Sequence, residues 1–175
     1  LKYQLHRTLT YIFSALLLIP LLIAVMPSAG ASELKTRSIR VSTSQAGAPA
    51  EHLFTFNVPS TSPVGSIAFE YCANSPLDNV ACVAPAGLNL NSMTVIAQTG
   101  NVGFGISPSS SANRIVLTRP VSPGVVTTSS YNFGNIINPV TSGETTFVRI
   151  STYGSTDGTG SYNDNGSVAF STAEL

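Results

Sequence analysis

The chain has no tryptophan, two cysteines, two histidines, and charged residues at only 9% of its 175 positions. Each scarcity excludes something. Antibody-type sandwiches pack a buried Trp against a disulfide that joins the two sheets, so that core is ruled out. Two cysteines separated by nine residues, Cys72 and Cys82, lack the second pair that a zinc cluster needs. A charge content far below the roughly 25% of an average soluble domain leaves no basic patch for nucleic acid. No Gly-x-Ser-x-Gly elbow and no phosphate-binding Gly-Lys-Ser/Thr run occur. Gly100, Gly103 and Gly105 sit among alternating apolar residues, where glycine marks a bulge or the close approach of another backbone.

What is present begins with a leader. Lys2, His6 and Arg7 precede an apolar run from Tyr11 to Met26, and Ala29-Gly30-Ala31 follows. A basic start, an apolar stretch and an A-x-A site form a secretory signal peptide, cut between Ala31 and Ser32. The alternative is an uncleaved membrane anchor. The run is 16 residues and Pro20 interrupts it, whereas a spanning helix needs about 20. Cleavage leaves 144 of the 175 residues, enough for one domain. Six cations then face eight acids, a net charge of −2. Solubility must come from Ser, Thr, Asn and Gly. The cysteine pair in an exported chain reads as a disulfide, a local staple that closes a nine-residue loop. Residues 32–38 read as a short, loose linker, and the domain proper as 39–175, with a C-terminus that is truncated if the gene continues.

After the leader the apolar residues alternate in short runs bounded by Gly, Pro, Asn and Ser, the signature of strands. Ile39, Val41 and Thr43 form one run; Phe54, Phe56 and Val58 another; Ile67, Phe69 and Tyr71 a third. Val95 and Ala97, then Val102, Phe104 and Ile106, then Ile115 and Leu117 follow, and after them Tyr131, Phe133 and Ile136, Val148 and Ile150, Val168 and Phe170. Nine short strands with turn punctuation predict an all-β chain folded as a single β-sandwich, immunoglobulin-like in architecture and without an inter-sheet disulfide.

No residue set reads as catalytic. His52, the one histidine after the leader, has Glu51 beside it, but neighbours along a strand point to opposite faces; it reads as a surface residue near a sheet edge. Glu70 lies opposite the Ile67–Tyr71 face and reads as solvated. The stretch 157–166 mixes Asp157, Asn163, Asp164 and Asn165 with glycines and has part of a calcium-loop pattern. Its plainer reading is a hairpin loop with Asn165-Gly166 as the turn. No metal site and no cofactor are expected.

Two contact regions are. In the loop closed by the disulfide, Pro76 stiffens the backbone while Asn74, Asp78 and Asn79 present polar groups outward. Tyr131, Tyr153 and Tyr162, with Asp157 and Asn163, are the residues that would line a sugar or small-ligand site; against this, the tyrosines pack at the sheet ends.

Several segments taken together resemble a known group: GSIAFEYCANSP at 65–76, ACVAPAGLN at 81–89, QTGNVGF at 98–104, RIVLTR at 114–119, Asn138-Pro139, and FVRISTY at 147–153. As a set they are similar to a family of uncharacterised secreted β-sandwich proteins of ultra-small candidate-phylum bacteria, over residues 39–171. The resemblance implies an exported or cell-surface β-domain, with members that continue into a second β-rich region, and it brings no catalytic residues. The expected function is therefore a non-catalytic structural or adhesion module, secreted or held at the cell surface. The alternative is a carbohydrate- or small-ligand-binding sandwich. Expected partners are other surface proteins or glycans, with no nucleic acid and with membrane contact only through the signal segment.

Overall fold

A computed structural model describes residues 31–174. The leader lies outside the described residues. The described part is all β and contains no helix.

Ten strands form in order: β1 (Ser32–Glu33), β2 (Lys35–Val41), β3 (Pro49–Val58), β4 (Pro63–Cys72), β5 (Thr94–Thr99), β6 (Gly105–Ile106), β7 (Arg114–Pro123), β8 (Thr127–Ile137), β9 (Thr145–Tyr153) and β10 (Tyr162–Ser171). They build two sheets. One has six strands in the order β1-β10-β9-β4-β7-β6, the other four in the order β2-β3-β8-β5. All pairings are antiparallel except β1 with β10. β2–β3, β6–β7 and β9–β10 pair as sequence neighbours, while the chain crosses between sheets at β1–β2, β3–β4, β4–β5, β5–β6, β7–β8 and β8–β9.

The alternation in the sequence decides what lies between the sheets. From the four-stranded sheet come Phe54, Phe56, Val58, Tyr131, Phe133 and Ile136; from the six-stranded sheet come Ile67, Phe69, Tyr71, Ile115, Leu117, Val148 and Ile150, all buried. Phe69 touches Phe54, Phe56, Tyr131 and Phe133 with ring centroids 4.8–6.3 Å apart, mostly tilted or edge-on. Such contacts add specificity to the area buried. In β8 the inward set runs Ser129, Tyr131, Phe133, then shifts to Ile136, because a bulge at Gly134–Asn135 interrupts the register. Asn135 takes φ +58°, a conformation that Asn tolerates better than most residues.

Three expectations about the elements need correction. The segment 32–38 is no loose tether: β1 adds to the six-stranded sheet, β2 to the four-stranded one, and Leu34 between them is fully buried in the core. Its polar composition hid this, since a single inward Leu carries no periodicity. The run Val102-x-Phe104-x-Ile106 is mostly loop. Only Gly105–Ile106 pair, Phe104 is buried, and Val102 and Ile106 are exposed. The Gln98 side chain replaces the missing ladder: its Nε2 donates to the Phe104 carbonyl at 2.6 Å and its Oε1 accepts from the Phe104 N–H at 3.1 Å. Finally, Asn165-Gly166 is strand interior, paired with Ser151 and Ile150, and makes no turn.

Candidate functional site: the outer face of the six-stranded sheet

β4 and β9 are buried on both faces. The inner side is the core. The outer side is flanked by two loops, 73–82 and 154–161, which border a cleft over Ala68, Glu70, Arg114, Arg149, Ser151 and Tyr153.

The disulfide anchors the first loop. Cys72 ends β4 and bonds Cys82, with Cα atoms 5.1 Å apart. The bridge stays on one sheet, as a local staple should. Arg149, projecting from β9, is the second anchor. Its Nη2 donates to the carbonyls of Ser75 at 3.0 Å and Val80 at 2.9 Å, its Nε donates to Ser75 at 3.2 Å, and its Nη1 pairs with Glu70 at 3.4 Å. The Arg149 side chain is only 5% exposed, and its guanidinium ties the two arms of the loop together. The loop therefore lies down on the sheet and does not project. Its predicted contact residues divide accordingly. Asn74 turns its amide inward, donating to the Ala81 carbonyl at 2.8 Å and accepting from the Val83 N–H at 3.0 Å. Asp78 accepts from Asn165 at 2.5 Å, Pro76 is half-buried, and Asn79 is exposed. Three apolar side chains of this stretch are open to solvent as well: Leu77 at 57%, Val83 at 56% and Val80 at 37%.

The second loop is pinned from beneath. Ser66 Oγ donates to the Ser155 carbonyl at 2.7 Å and accepts from the Gly158 N–H at 2.9 Å; Arg114 Nη2 donates to the Gly158 carbonyl at 2.6 Å. Gly158 has φ +73°, and a Cβ there would press on Arg114 and Val116, so glycine is required. Asp157 turns its carboxylate onto its own loop, accepting from Thr159 Oγ1 at 2.7 Å; that hydrogen bond, with Ser155 next, lowers its pKa. Asp164 points the other way, into the interior, where it is fully buried. The two carboxylates of the calcium reading thus share no site.

Between the loops is a cleft of about 230 Å³ lined by Glu70, Asp78, Arg114, Arg149, Tyr153 and Tyr162, among others. Tyr153 and Tyr162 meet edge-on at 6.4 Å, and the Arg114 guanidinium stands 5.9 Å from the Tyr153 ring centre. Of the proposed ligand set, Tyr153 and Tyr162 come together. Asn163 turns away to donate to the Pro63 carbonyl at 2.8 Å. Tyr131 is elsewhere altogether: it is fully buried in the core and donates its hydroxyl to the Asn101 carbonyl at 2.6 Å, and burial raises its pKa. It is removed from the ligand set.

Sequence reasoning also misplaced His52 and Glu70. His52 lies fully buried between the sheets, not at a surface edge. Glu70 is partly shielded by its pairing with Arg149 and is not freely solvated. Arg149 and Arg114 were missed as site residues. Their signal was a lone Arg beside inward-facing Val148 and Ile150 in one strand and at the head of another, legible only once the loops above them are placed.

No protein family matches the chain, and no curated protein does. Among solved structures it is similar to BslA, described as a bacterial hydrophobin, at 11% identity over 83% of this chain and 98% of that one, with a TM-score of 0.44. A cohesin module from a Clostridium perfringens family 33 glycoside hydrolase aligns at 16% identity over 83% and 100%, with a TM-score of 0.41. The human F-spondin reeler domain aligns at 9% identity over 84% and 99%, with a TM-score of 0.41.

Proposed function

We propose that the chain is a non-catalytic, exported module of the cell surface, structural or adhesive in role, whose contact element is the loop 73–82. The observation that carries this reading is the loop itself. A disulfide and a buried arginine hold its backbone, Leu77 and Val80 face solvent from it, and Val83 does so just beyond Cys82. A pre-organised loop loses little entropy on binding, and apolar side chains on it gain by leaving water. The leader and a disulfide in a chain of this size fit an oxidising compartment. The test is adhesion of cells displaying the domain, with Leu77→Ser and Val83→Ser together. A tenfold or greater loss with an unchanged melting temperature supports the reading. Unchanged adhesion, or the domain found soluble in the cytoplasm, ends it.

A second reading, a carbohydrate- or small-ligand-binding module, draws on the cleft. Tyr162 is half-exposed beside Arg114, Glu70 and Asp78, a set that offers one ring face and several hydrogen-bonding groups. Glycan-array binding that disappears in Tyr162→Ala would favour it over the loop; an array without hits would remove it.

A further inference from the structure

Asp164 is fully buried in β10. Its Oδ2 accepts from Thr152 Oγ1 at 2.9 Å and from Ser60 Oγ at 3.1 Å. Its Oδ1 is buried and has no hydrogen-bond partner. Among the described residues the ion pairs join Arg37 to Glu33 and Arg149 to Glu70, so no cation stands against Asp164. A buried carboxylate is costly unless a cation and full hydrogen bonding compensate it. This half-satisfied group in an otherwise well-paired domain calls for a missing partner.

The strand beside it supplies one. β1 runs parallel to β10 with Ser32 opposite Asp164. Leu34, two residues on, is buried in the core, so by alternation Ser32 leaves the strand on the same face as Asp164, at the exposed edge of the sheet. Adjacent strands lie about 4.8 Å apart, so the Ser32 backbone stands one strand spacing from that of Asp164. The A-x-A site places the signal cut at this residue. Hydrolysis of the Ala31–Ser32 peptide bond adds one water: Ala31 gains a carboxylate, and the Ser32 amide nitrogen becomes an α-ammonium group with three protons. We infer that Asp164 is the binding site for the α-ammonium of the processed chain, so that removal of the leader creates the cation that seats β1 on the six-stranded sheet. This rests on the export reading above. In the uncut chain the same nitrogen is a neutral amide and Asp164 keeps its unpaired oxygen.

The experiment uses residues 32–175 released from a fusion tag with Ser32 as the free first residue. It is compared with the same protein acetylated at its α-amine, each with and without Asp164→Asn. Acetylation is expected to lower the melting temperature by about 3 °C or more in the parent and by nothing measurable in Asp164→Asn, the non-additivity that marks a direct pair. An equal effect of acetylation in both backgrounds, or none in either, overturns the pairing. Should Asp164→Asn fail to fold, a crystal structure of the free-terminus protein decides: a Ser32 nitrogen within about 3.2 Å of an Asp164 oxygen supports the pair, and a water or an empty gap there overturns it. Mass spectrometry of the chain recovered from exporting cells separates the two claims. A first residue other than Ser32 refutes the processing step, whereas a flat acetylation comparison refutes the pair and leaves export standing.

Discussion

His52 Nε2 lies 2.9 Å from Oδ1 of Asn138, in the buried layer between the sheets. Asn138 donates its amide nitrogen to the carbonyls of Thr43 and Gln45, at 3.0 and 3.1 Å, which fixes its oxygen toward the ring. That oxygen can only accept, so Nε2 carries the proton and Nδ1 accepts from the Tyr71 hydroxyl at 3.0 Å. Phe170 packs edge-on against the ring at 5.0 Å. One neutral tautomer satisfies every partner, and the imidazole ties β3, β4 and the loop after β8 together.

Burial lowers the pKa of His52 to about 4, the hydrogen bond that it donates to Asn138 opposing the shift only in part. A group depressed in the folded state stabilises fully above its unfolded pKa of about 6.5 and loses that contribution as pH falls toward 4. The window is therefore pH 6.5 to 4, and the loss across it is about 3 kcal/mol. Urea unfolding of the parent and of His52→Gln over this range measures it. The parent's stability should fall more steeply by that amount, and parallel curves would refute the assignment.

Arg149→Ala should loosen the loop 73–82 and cost about 3 kcal/mol, because two loop carbonyls and Glu70 lose their donor in a buried setting. Hydrogen exchange should accelerate at Val80 and its neighbours more than in β3 or β8. Arg149→Lys should recover only part, since one ammonium cannot span both carbonyls in the fork geometry of guanidinium.

Replacing Cys72 and Cys82 by Ser should lower stability by about 3 kcal/mol through the unfolded chain alone. The protein should still fold, because Arg149 and the Asn74 amide continue to close the loop. Intact mass without reductant should be two hydrogens below the dithiol form, and two free thiols there would contradict the bridge.

Leu34→Ala should cost about 2–5 kcal/mol, as a fully buried leucine does in a close-packed core. A protein begun at Ile39 should unfold at much lower denaturant than one begun at Ser32. Equal midpoints would show that 32–38 is dispensable after all.

The strand content, the inward Phe, Ile, Val and Tyr residues of β3, β4, β7 and β9, and the disulfide were legible from alternation, turn residues and the count of cysteines. Each is a local property: a strand declares its buried face by period two, and two cysteines in an exported chain leave one pairing. Asn135 in its bulge was not legible, because a bulge changes which residues face inward without changing composition. Nor were Gln98 and Asn101, whose side chains stand in for strand partners; Asn101 brackets Val125 by donating to its carbonyl and accepting from its N–H, both at 2.9 Å.

The polar residues show the same division more sharply. His52 read as a surface residue, Asp164 as part of a hairpin loop and Tyr131 as a ligand residue, because polar side chains usually lie outside; Asn138 and Arg149 carried no such reading. Their fate was settled by what arrived opposite them from distant parts of the chain: Tyr71 across the sheets and Asn138 after β8 for His52, the carbonyls of Ser75 and Val80 for Arg149, Asn101 for Tyr131. A hydrophobic pattern is an energy of each residue with water and can be read one position at a time. A buried polar group is stable only when a partner of the right geometry meets it, and that meeting exists only in three dimensions.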